Sequence, residues 1–127
     1  MNILVIGDGR EIRLLLNELV REAAMVEWVV DMKDAIPQFE EMRRKEQNFD
    51  LIVICPDNGL ADADELAAEL KMMAENMPVV VVVQKGVRDN GAKAGIGLGN
   101  IDEIVPSLAM EPILTAFTRR SEKEARR

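Results

Sequence analysis

Five consecutive valines, Val79 to Val83, constrain this chain more than any other feature. β-Branched side chains fit a pleated strand and crowd a helix. No polar residue alternates with them, so the segment has no face to offer water. Such a run suits a strand buried on both sides, as in a parallel sheet. Ile3-Leu4-Val5-Ile6 has the same character, and so have Met25 to Val30, Leu51 to Cys55 and Ile101 to Val105. These segments predict five strands. They end at Gly7-Asp8-Gly9, at Asp31, at the turn cluster Pro56-Asp57-Asn58-Gly59, at Gln84-Lys85 and at Pro106.

Helical patterns fill the intervals. Ile12, Leu15, Leu16, Leu19, Val20 and Ala23 follow helical spacing and predict one apolar stripe. Asp34 predicts the cap of a second helix, with Pro37 in its first turn and Ile36, Phe39 and Met42 along its inner edge. Asp62 followed by Glu65 predicts a capping box for a third helix, with Leu66, Leu70, Met73 and Met77 inward. Pro112 predicts the first position of a last helix, with Ile113, Leu114 and Phe117 inward. Between the valine run and the last strand stand Gly86, Gly91, Gly95, Gly97 and Gly99. Each glycine costs a helix roughly 1 kcal/mol against alanine, so the fourth helix is expected to be short or irregular. Strand and helix alternate throughout. The expected fold is therefore α/β: a doubly wound five-stranded parallel sheet with helices on both faces. Residues 1–118 are expected to form one domain. Residues 119–127 read as a helix end or the start of a linker.

Composition removes several classes of chemistry. The chain of 127 residues has no histidine, which excludes Ser-His and Cys-His nucleophiles, imidazole bases and His-ligated metals. Its one cysteine, Cys55, cannot form an intrachain disulfide, which suits a reducing cytoplasm. Tyrosine is absent and aromatics are 3%, so base-stacking platforms are not expected. A net charge of -7 gives no overall attraction to nucleic acid or anionic lipid. No apolar run is long enough to span a membrane, and the first residues read as a strand rather than a leader. A soluble, cytoplasmic protein is expected, without nucleic-acid or membrane partners.

Three segments, Ile3 to Gly9, Asp50 to Cys55 and Met77 to Val83, continue into Ile104-Val105-Pro106 in a fixed order and spacing. In that order the chain resembles a receiver domain of the two-component response-regulator superfamily, over roughly residues 2 to 118. The resemblance implies a flavodoxin-like fold and a role in signal transduction. In that family an acidic pair and an aspartate hold magnesium and accept a phosphoryl group. A hydroxyl and a lysine then read the phosphate. Here the matching positions are Gly7 and Asp8 for the acidic pair, Cys55 for the acceptor, Val83 for the hydroxyl and Val105 for the lysine. Magnesium needs hard oxygen ligands, and a thiol is a poor one. Asp8 alone would hold it weakly. The resemblance thus implies a degenerate receiver, not an enzyme, without resident metal or cofactor. It would act by contact with a regulator or effector protein, or as a homodimer. The interaction face it implies includes Ile101, Ile104, Ile113 and Phe117.

Other readings stand beside this one. Asp8 and Asp57 read first as turn residues; together they also make a residual acidic pocket, and either is a displaced acceptor in a phosphorelay reading. Lys85 reads as a solvated loop lysine, with substitution for the missing lysine as its alternative. Gly7, Gly9 and Asp31 begin a dinucleotide fingerprint, but its third glycine position holds Ile12. Cys55 is a strand-end thiol.

Overall fold

The computed structural model describes residues 1–22, 25–56, 60–74, 78–83, 99–105 and 109–125. Among these residues there are five strands: β1 Asn2–Ile6, β2 Met25–Val29, β3 Leu51–Ile54, β4 Val79–Val83 and β5 Glu103–Val105. Four α-helices accompany them: α1 Arg10–Glu22, α2 Ala35–Arg44, α3 Leu60–Met73 and α4 Met110–Ala125. All strand pairs are parallel, in the order β2-β1-β3-β4-β5. This is the doubly wound, flavodoxin-like order.

Side chains alternate across each strand, so each apolar run supplies two cores. Leu4, Ile6, Ile52, Ile54, Val80 and Val82 face one side, beneath Phe39 and Met42 of α2 and Leu66 and Leu70 of α3. Ile3, Val5, Val53, Val79 and Val81 face the other, beneath Ile12, Leu15 and Leu19 of α1 and Ile113 and Ala116 of α4. The valine run is fully covered for this reason: its neighbours in the sheet and the helices on both faces leave it no solvent.

Several expected boundaries shift. β2 stops at Val29, and Val30 is exposed. β3 stops at Ile54, which leaves Cys55 just past the strand. β5 begins at Glu103, yet Ile101 is buried ahead of it. α3 begins at Leu60, so Asp62 lies inside its first turn and is not a cap. Asp34 does stand at the α2 N-cap, after a 3-10 turn over Met32–Asp34, but its side chain makes no capping bond. Pro112 is the third residue of α4 rather than the first. Its missing N–H is harmless there, because first-turn donors have no intrahelical acceptor. Val20 turns to solvent while Ile12, Leu15 and Leu19 are buried, so the α1 stripe is narrower than its spacing implied. α4 runs on to Ala125, through most of the stretch expected as a helix end. Ala23, Met77 and residues 84–98, where the irregular fourth helix was expected, lie outside the described residues.

The parallel sheet is trimmed at its amino-terminal end by acidic side chains. Asp50 Oδ2 accepts the Asn2 backbone N–H at 2.8 Å, while the Asp50 N–H donates to the Asn2 carbonyl at 2.9 Å. Asp50→Ala is expected to lower stability by about 0.5–1.5 kcal/mol, the usual net worth of such a bond. A shift in urea midpoint would measure it. An unchanged midpoint would mean that water replaces the carboxylate at this exposed site.

Candidate functional site

In an open parallel sheet, the crevice forms where the chain winds away in opposite directions from two neighbouring strands. With this strand order, that point lies beyond the carboxyl ends of β1 and β3. Gly7, Asp8 and Gly9 stand at the first, and Cys55 and Pro56 at the second.

The floor of the crevice is packed shut. Gly7 is buried, with φ at +149°. A Cβ placed there would lie 2.7 Å from Ile12 Cδ1 and 2.8 Å from Cys55 Cβ. Both distances are far inside contact range, so the β1 and β3 ends meet with no space for a side chain between them. The Gly7 backbone is tied down on the other side as well. Its N–H donates to the Val29 carbonyl at 2.9 Å, and its carbonyl accepts the Trp28 indole N–H at 2.7 Å. The Cys55 N–H donates to the Ile6 carbonyl at 2.8 Å. Cys55 itself is half-buried.

Asp8 is exposed, and its Oδ1 accepts the neighbouring Gly9 N–H at 2.8 Å. It behaves as a turn residue ahead of α1. Asp31 is exposed at the end of β2. Val83 and Val105, at the hydroxyl and lysine positions implied by the resemblance, are 8% and 5% exposed and pack into the core under α1 and α4. Asp57 and Lys85 lie outside the described residues. Among the described residues, no three His, Cys, Asp or Glu side chains gather closely enough to hold a metal ion.

Ile12, at the third fingerprint position, is 1% exposed and fills the space above Gly7. A glycine there would let a helix approach the strand closely. Isoleucine holds α1 off instead, which gives the dinucleotide reading no support.

The expected interaction face needs correction. Ile101, Ile104 and Ile113 are fully buried, and Phe117 is half-buried against the core between α1 and α4. The sheet and its covering helices consume these side chains, so none of the three isoleucines has surface to give a partner. A shallow depression along α4 is lined by Met110, Glu111, Leu114, Thr115, Thr118 and Arg119, of which Met110 and Leu114 also pack against the core.

Three polar arrangements escaped the sequence. Asp102 Oδ2 accepts from Lys71 Nζ at 2.9 Å and from the Val80 N–H at 2.8 Å. Asp64 of α3 accepts from the Asn100 N–H at 3.0 Å and its side-chain amide at 3.3 Å. Glu103 of β5 is buried, with Arg119 Nη1 at 4.0 Å. A charge inside the run Ile101 to Val105 was the one visible signal for the last. The first two join residues 31 and 36 positions apart, which no local pattern encodes.

Among the described residues, no helix is long and apolar enough to cross a membrane. Comparison with known proteins finds no matching family model, no matching curated protein and no matching solved structure.

Proposed function

We propose that this chain is a receiver-like signalling module that works by contact with a protein partner, without phosphorylation at the end of β3. The contact between Gly7 and Cys55 carries the reading. A receiver's chemistry needs an acidic side chain at the first position and a carboxylate at the second. Here the first position excludes any side chain, and the second presents a thiol. The strand order and the placement of the crevice support a receiver-like frame, although a fold alone does not fix a function. Val83 and Val105 are core residues, so the two positions matched to the phosphate-sensing hydroxyl and the neutralising lysine carry neither group. Signalling in this reading passes through a regulator or effector protein in the cytoplasm. Switching then follows from differential binding of that partner to two states of the domain.

Intact mass spectrometry after incubation with acetyl phosphate and magnesium tests the proposal. The expected result is an unchanged mass. One added phosphate, lost in Asp8→Ala or Asp57→Ala, would overturn it in favour of a displaced acceptor. A thermal-shift panel of nucleotides provides the second check. A ligand at 100 times its dissociation constant adds about 2.7 kcal/mol, which a melting shift reveals readily. A shift with any nucleotide would favour the dinucleotide reading.

A further inference from the structure

We infer that buried Glu103, held by Arg119, guards the β5 edge of the sheet and prevents this chain from assembling edge to edge through it. The sheet register supplies the first observation. Val5, Val53, Val81 and Glu103 lie side by side across four strands, facing the core under α1 and α4. The three valines are fully buried, and Glu103 is 8% exposed. It is the buried charged residue among those described. Packing alone would continue the row with another apolar side chain.

The second observation is how loosely the carboxylate is satisfied. Its ion pair with Arg119 spans 4.0 Å, longer than a hydrogen bond, and the arginine side chain is itself 57% exposed. Glu103 therefore keeps a small remaining contact with water, and among the described residues no strand lies beyond β5. A further strand laid against β5 would cut off that contact and leave a carboxylate in an apolar row. Burying a charge without close partners is strongly unfavourable. Short edge strands and inward-pointing charges are established ways by which sheets resist such pairing. β5 has both: three residues and one inward charge. The Ile104 backbone groups face outward: Val80 turns both its N–H and its carbonyl toward Asp102, so Val82 also faces β5, and the parallel register sets it between Glu103 and Val105. They are the groups that an added strand would use.

Glu103→Val and Glu103→Gln test this by sedimentation velocity over a concentration series, with the unaltered chain as the baseline. Both variants are expected to reach a higher apparent mass than the baseline as concentration rises, Glu103→Val more strongly. Amide exchange at Ile104 is expected to slow in step with association. Circular dichroism confirms that each variant is folded, and Glu103→Gln, nearly the same shape, decides the matter if Glu103→Val does not fold. Folded variants whose apparent mass tracks the baseline throughout would overturn the guard. Association without slower exchange at Ile104 would also overturn it, because the new contact would lie elsewhere.

Discussion

Asp102→Ala is expected to lower the unfolding free energy by about 1–3 kcal/mol, the loss typical when partly buried donors are left without their acceptor. The side chains of Lys71 and Asp102 are 14% and 9% exposed, and their atoms meet at 2.9 Å. The same carboxylate oxygen also accepts the Val80 N–H, at the start of the β4–β5 ladder. Alanine strands both donors at once: an ammonium on α3 and a backbone N–H in the sheet. Lys71→Met is expected to cost less. The methionine keeps the apolar stem in place, and Asp102 retains the Val80 bond. Urea denaturation of the two variants measures the order. A loss below about 1 kcal/mol for Asp102→Ala would mean that the pair behaves like a solvated surface bridge.

The second large effect separates two glycines that share a backbone conformation. Gly7→Ala is expected to cost about 2–4 kcal/mol, combining overpacking with the strain of a non-glycine residue at positive φ. Gly9→Ala carries the strain without the collision, since φ is +128° there and no atom lies within 4 Å of an added Cβ. Its cost is expected to be about 1–2 kcal/mol. Trp28, the one tryptophan, donates to the Gly7 carbonyl, so its fluorescence should change in Gly7→Ala and hold in Gly9→Ala. Equal losses for the two variants would mean that Ile12 and Cys55 move aside easily. The comparison bears on function as well. If Gly7→Ala is the costlier change, placing an acidic residue at position 7 would disrupt the β1–β3 junction before it could build a magnesium site.

The fold was legible because its signal is local and repeated. Apolar runs of four or five residues, with helical stripes between them, leave a parallel sheet covered on both faces as the consistent arrangement. The crevice was legible for the same reason, since it lies wherever strands end. Boundaries were less so. The Asp62 and Glu65 spacing imitates a capping box, yet α3 starts at Leu60. Val20 belongs to the stripe by spacing but faces solvent, because the sheet beneath α1 covers only a narrow face.

The sequence by itself determined the number of strands, their burial on two sides and the absence of imidazole and disulfide chemistry. These follow from residue type and period alone. Tertiary structure decided which side chains compete for the same space. It set Gly7 against Cys55 and Ile12, carried Ile101, Ile104 and Ile113 from an expected interface into the core, and joined Lys71 to Asp102. The physical reason is separation along the chain. Each of these contacts links segments brought together only when helices dock on the sheet, and a periodic pattern reports which face is buried without reporting what that face meets.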